Sequence, residues 1–250
     1  MNIIEQVTAF AKSPPEVEEG VPMKVNLLPP LRDEAIQELE GLCGGQLDPV
    51  VLELLQFCGG FGEDFVDGEE GCMDGIRFMG TMEPAAEEIF PPGCLDHSRT
   101  IHEDGFGNCW FYWPKDLTPQ LGPVYYFQHE GPMIFYQCAS LVEFIQEYIK
   151  LQTPPHEGLL DDVHEMRIPS KLSPMSRDEA LGKGDPELKA FAGSSLPDST
   201  IFDFRGAQTG DGLDLGAHRL EMESGHATLP ILSFSRKPTF FEKLFGKRKK

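Results

Sequence analysis

Apolar positions along this chain recur at two spacings, and the switches between them outline its elements. Ile3, Ile4, Val7 and Phe10 share one helical face, so residues 1–12 read as a short helix closed by Ser13-Pro14-Pro15. An acidic loop at 16–20 leads into an extended segment over 21–28. Leu31, Ala35, Ile36, Leu39 and Leu42 return to helical register and predict a helix over 33–42. Asp48 before Pro49 is a capping residue followed by proline at the first helical position. That helix is expected to run to Cys58 and stop at Gly59, a residue suited to the left-handed C-terminal position. Residues 76–79 read as a short strand and 83–89 as a helix.

The richest stretch is 101–151, which holds both tryptophans and all five tyrosines. Asp104-Gly105-Phe106-Gly107 is a tight-turn signal, because glycine takes positive φ at little cost. Aromatic residues then mark a strand over 108–113. A proline- and glycine-rich loop leads to further strands at 124–129 and 133–137, separated by Glu130-Gly131-Pro132. The three are expected to form an antiparallel meander. Ser140 starts a helix with Glu143 as its capping-box partner, and Leu141, Phe144, Ile145, Tyr148 and Ile149 form the apolar face that lies on the sheet.

Past Leu151 the pattern weakens. Thr153-Pro154-Pro155-His156-Glu157-Gly158 reads as a connector. Two short helices are signalled, by Ser176 with Glu179 and by Asp185-Pro186 ahead of a helix ending at Gly193. Strand-like pieces follow at 200–204, 218–222 and 230–234, with a polar glycine-rich loop at 205–212. Residues 152–235 are read as a C-terminal α+β extension or a small second domain. The tail, 236–250, is different again. Phe240, Phe241, Leu244 and Phe245 share a helical face beside Lys247 and Arg248, with 7 Lys+Arg against one Glu. Such a segment docks on a second partner or on an anionic membrane, or frays into solvent.

Charge narrows the functional classes. The chain is formally −20, and residues 1–160 carry all of that excess, with 7 Lys+Arg against 27 Asp+Glu. An acidic surface repels phosphate backbones, so direct nucleic-acid binding is not expected, whereas a basic partner is attracted and steered. Six cysteines form no CxxC pair, residues 1–8 lack a signal-peptide pattern, and no apolar run reaches membrane-spanning length. These features place the chain in the cytoplasm with free thiols.

No catalytic or cofactor signature emerges, and an enzyme is not expected. Residues 61–75 are acidic and glycine-rich but lack calcium-loop spacing. Cys94, His97, His102 and Cys109 mix the two residue types without the close pairs that zinc sites use, so no metal site is assigned. There is no Gly-x-Ser-x-Gly elbow, and a Cys138–His129 pairing has nothing in the sequence behind it. Trp110, Trp113, Tyr125, Tyr126, Phe127 and Tyr136 cannot all face one side of a sheet. Some either emerge as partner hot spots or lie under the C-terminal region.

The order of Asp-Gly-x-Gly, aromatic strand, long loop, Gly-Pro-Val-Tyr-Tyr strand, His-Glu turn, strand and Leu-x-x-Phe-Ile helix resembles the core of the SUKH superfamily. Leu54-Leu55-Gln56-Phe57-Cys58-Gly59-Gly60 is similar to the helix end and paired glycines that open that family's sheet. The resemblance spans roughly 47–151. It implies an α+β domain at 31–151, an antiparallel twisted sheet with helices packed against it, preceded by an N-terminal helix and acidic loop at 1–30. It also implies binding, since many bacterial members are immunity proteins that block a cognate toxin, often a nuclease with a basic surface. On this reading the partner face draws on Asp64, Asp67, Glu69, Glu70, Glu103, Asp104, Trp110, Trp113, Tyr126 and Glu130. The alternative is a regulatory or scaffold protein whose SUKH-like domain holds a cellular partner while the basic tail docks elsewhere.

Overall fold

The first helix, α1 (Ile3–Lys12), begins where Asn2 and Glu5 close a reciprocal capping box. The box satisfies two amide donors that every helix start leaves open. Its stripe turns inward, with Ile3, Val7 and Phe10 buried. β1 (Val25–Leu27), α2 (Asp33–Cys43) and α3 (Pro49–Phe57) follow. Asp48 caps α3 through the amide of Val50, as its sequence indicates. The end of α3 differs from expectation, because Cys58 is extended and Gly59 takes no left-handed φ. Gly59 is needed for space instead. A Cβ there would meet the Pro29 carbonyl at 2.7 Å, and one on Gly60 would meet that of Ile76 at 2.1 Å. The close approach builds β2 (Gly60–Glu63) between β1 and β3 (Gly75–Arg77), inside what the sequence suggests is the start of a loop.

This computed structural model describes residues 1–13, 25–63, 75–80, 98–113, 116–131, 133–167, 170–214, 220–222 and 230–236. The helix expected at 83–89 lies outside them. Four antiparallel strands make the central meander: β4 (Arg99–Glu103), β5 (Cys109–Tyr112), β6 (Val124–Gln128) and β7 (Met133–Cys138). β4 was not signalled by the sequence. After β7, α4 (Leu141–Gln152) starts at Ser140, which accepts from the Glu143 amide. The Glu143 carboxylate reaches the Ala139 amide rather than that of Ser140, so only half of the expected box forms.

The remaining elements are α5 (Leu159–His164), β8 (Ser170–Lys171), β9 (Met175–Ser176), α6 (Arg177–Gly182), α7 (Pro186–Ser194), β10 (Ser199–Asp203), β11 (Asp211–Asp214), β12 (Leu220–Met222) and β13 (Ile231–Arg236). β11 adds antiparallel to β7 and carries β8 parallel beyond it, giving a six-stranded sheet ordered β4-β5-β6-β7-β11-β8. β12-β13-β10-β9 form a separate sheet. The fold is α+β.

Strand alternation decides the layers. Trp110, Tyr112, Tyr126 and Phe135 face Leu141, Phe144, Ile145 and Tyr148 of α4, in a core shared with α1, α2 and α3. Phe111, Trp113, Tyr125, Phe127 and Ile134 face the other way, onto Phe202, Phe204, Leu232 and Phe234. Ile201 and Ile231, on the outer face of the second sheet, pack against Ala180, Leu188 and Ala192 of α6 and α7. Both faces of the meander are therefore covered. No helix among the described residues is long and apolar enough to cross a membrane.

Candidate functional site

Because β4 to β7 form a meander, the β4–β5 and β6–β7 turns emerge at the same end of the sheet. The first is built around Asp104. Its Oδ1 accepts from the amides of Phe106 at 2.8 Å and Asn108 at 3.2 Å. Its Oδ2 accepts from Asn108 Nδ2 at 2.5 Å and His164 Nε2 at 3.0 Å. Burial raises the pKa of this carboxyl, but the hydrogen bonds, that of the Asn108 side chain foremost, outweigh burial and hold it below its ordinary value. Gly105 and Gly107 both take positive φ, 77° and 89°. Asn108 Oδ1 accepts from the His129 amide at 2.8 Å, and a Cβ on Gly107 would press on the His129 ring at 3.3 Å. The two turns are thus locked together.

Phe106 sits at the tip of this construction, 81% exposed. Its amide fixes the turn, but its side chain contributes nothing to the buried core. Around it stand Glu103 and Glu130, both exposed. Through the His164–Asp104 contact, the end of α5 adds Asp161, Asp162 and Glu165, with Arg167 paired to Asp161 at 2.6 Å. The result is an exposed aromatic on a fixed turn within a predominantly acidic border.

Three of the sequence-derived partner residues, Glu103, Asp104 and Glu130, are brought together here. Trp110, Trp113 and Tyr126 are not part of any surface: their exposures are 2%, 1% and 0%. This corrects the hot-spot expectation, and the reason is that helices cover one face of the meander and the second sheet covers the other. Asp64, Asp67, Glu69 and Glu70 lie outside the described residues, as do Phe240, Phe241, Leu244, Phe245, Lys247 and Arg248. Sequence reasoning overlooked Phe106 as a site residue, although an aromatic between two turn glycines was a usable signal. It also overlooked His164, whose six-residue helix is too short for periodicity to reveal.

The other chemical candidates dissolve into structure. Cys94 and His97 are outside the described residues, His102 Nδ1 lies 3.0 Å from the Gly75 carbonyl, and His102 stacks on Trp110. Cys138 sits at the far end of β7 from His129 and contacts the Ser140 carbonyl at 3.5 Å. Burial pushes the thiols of Cys43 and Cys58 up to about 11 and that of Cys109 to about 12. At neutral pH these are thiols, not thiolate nucleophiles.

No curated protein and no solved structure matches the chain. Residues 30–147, from just before α2 into α4, match the model of the SMI1 / KNR4 family (SUKH-1), in agreement with the resemblance seen in the sequence.

Proposed function

We propose that this protein is a non-catalytic binding module that holds a basic protein partner at the acidic turn end of its meander. The family match supports a protein-binding role. The observation that carries the reading further is Phe106, 81% exposed on a turn fixed by Asp104 and bordered by carboxylates. A turn backbone already held in place loses little conformational freedom when the aromatic it carries is bound, and carboxylates steer a cationic surface toward it. Given the −20 charge and the immunity role of many SUKH proteins, the partner is a bacterial toxin domain whose basic surface normally meets nucleic acid.

The test is a tagged pull-down from native cells at low salt, followed by affinity measurement with the purified partner. A single basic protein is expected, binding at least tenfold more weakly to Phe106→Ser, the loss typical of an interface anchor. Affinity is also expected to fall steeply between about 0.05 and 0.5 M salt, as screening shortens severalfold. A partner bound equally by Phe106→Ser and at all salt concentrations would refute this placement of the site. The scaffold reading keeps one observation of its own, the +6 tail on a −20 chain. Deleting residues 240–250 leaves toxin neutralisation intact on the first reading and removes a second partner or location on the other.

A further inference from the structure

Beside Phe106, α5 finishes in a group of side chains that belong to the acidic border and also carry metal-ligand chemistry of their own. We infer that Asp161, His164 and Glu165 form a site for a divalent transition-metal ion, with zinc the ion that best suits the donors. The three stand at i, i+3 and i+4, so they share one helical face, and one ligand atom from each lies within 4.8 Å of the others. One imidazole nitrogen and two carboxylate oxygens match zinc chemistry, whereas calcium and magnesium prefer oxygen alone.

His164 is already oriented as a ligand. Its ring stacks on Trp110 at 5.9 Å and meets Tyr126 edge-on at 5.8 Å, while Nε2 donates to Asp104 Oδ2 at 3.0 Å. That contact engages Nε2 and leaves Nδ1 directed toward Glu165, 3.5 Å from Oε1. A carboxylate behind the imidazole, fixing its tautomer and raising its basicity, is how metal-binding histidines are ordinarily supported. Glu165 is half exposed and free to close the remaining distance.

An independent observation comes from β6. Tyr126 is fully buried, and its hydroxyl has no hydrogen-bond partner among the described residues. The Tyr126 ring lies against the His164 ring, and the charges of Asp104 and Glu165 add to the effect of burial on its hydroxyl. An orphaned buried hydroxyl is costly, and a metal-bound water beside His164 supplies the partner it lacks. Charge favours the same ion. Asp104, Asp161 and Glu165 stand around His164, Arg167 offsets one charge by pairing with Asp161 at 2.6 Å and Asp162 at 3.5 Å, and the C-terminal end of α5 adds its negative dipole.

The test uses the full-length protein, freed of metal and titrated with zinc chloride, followed by calorimetry and by the fluorescence of the tryptophans, one of which stacks on His164. One zinc per chain is expected, with His164→Asn and Glu165→Gln each weakening it at least tenfold. Asp104→Asn, which acts by positioning His164, is expected to weaken it by about tenfold as well. Glu165 is exposed, so its variant keeps the fold, and unchanged metal-free melting confirms this. Failure to saturate at one site, or binding by Glu165→Gln and His164→Asn within twofold of the wild type, overturns the assignment.

Discussion

The two faces of the central meander carry similar side chains and end in different surroundings. Toward the helices, Trp110, Tyr112, Tyr126 and Phe135 pack in a core that also contains polar links. Trp110 Nε1 donates to Gln137 Oε1 at 3.1 Å, and Gln137 Nε2 to the Leu159 carbonyl at 3.2 Å. Toward the second sheet, Phe111, Trp113, Tyr125 and Phe127 meet a mainly aromatic and aliphatic layer, with Tyr125 bonded at its edge to Asp116 at 2.6 Å. α2, α3 and most of α4, on the helical side, fall within the family-matching segment; β10 and β13, which cover the other face, fall outside it. An aromatic strand does not by itself say whether its outer face is a core or an interface. The layer laid over it does.

The largest effect is expected from removing that layer. A chain ending at Arg167 would expose Phe111, Trp113, Tyr125 and Phe127, each contributing on the order of 100 Å² or more. Such a patch is expected to bind a hydrophobic dye and drive self-association. If the truncated chain is instead a monomer with a sharp melt and no dye binding, the second face is not a core. Next come single truncations on each side. Phe144→Ala and Phe202→Ala are each expected to destabilise the whole protein by about 3–5 kcal/mol in denaturant unfolding. A single shared transition would show the two cores to be cooperative, and two transitions would separate them.

Smaller again is Gly212→Ala at the joint between β11 and β7. Its Cβ would stand 2.2 Å from the buried Phe135 ring. A loss of about 1–3 kcal/mol is expected from the displacement this forces, measured as a shift in unfolding midpoint.

The smallest test is pH, where two carboxyls act with opposite signs. Asp104 has its pKa lowered in the fold, so its contribution is present above the ordinary 3.8 and is lost as pH falls through the lower folded value. Asp116 has its pKa raised, by burial first and by Glu187 in addition, against the Tyr125 hydrogen bond. Its contribution is complete below 3.8 and is lost as pH rises through the higher folded value. Melting temperatures of Asp104→Asn and Asp116→Asn, relative to wild type, should therefore drift in opposite directions across this range. Parallel drifts would contradict the two environments.

Much of the fold was legible wherever side chains act on their own backbone. Asn2 was not singled out, yet the apolar stripe of α1 located that helix, and Asp48-Pro49 and Ser140 marked the starts of α3 and α4. β5, β6 and β7 stood out because their aromatic runs lie between turn residues. β4 was hidden because Arg99 and His102 are polar residues buried by distant partners, Glu38 and the Gly75 carbonyl. β11 was hidden because Gly212, which reads as a loop residue, is there to let Phe135 approach. The candidate site divided the same way: Glu103, Asp104 and Glu130 were found from charge and turn chemistry, while His164 reaches Asp104 across 60 residues.

The amino-acid sequence alone determined where α1, α3 and α4 begin and where β5, β6 and β7 run, because caps, glycine turns and apolar periodicity act over three or four residues. The tertiary structure decided which aromatics are core, which is exposed, and which carboxylates share one end of the sheet. Burial depends on the element that covers a face, and in this chain the layer over Phe111 includes Phe234, far downstream in the sequence.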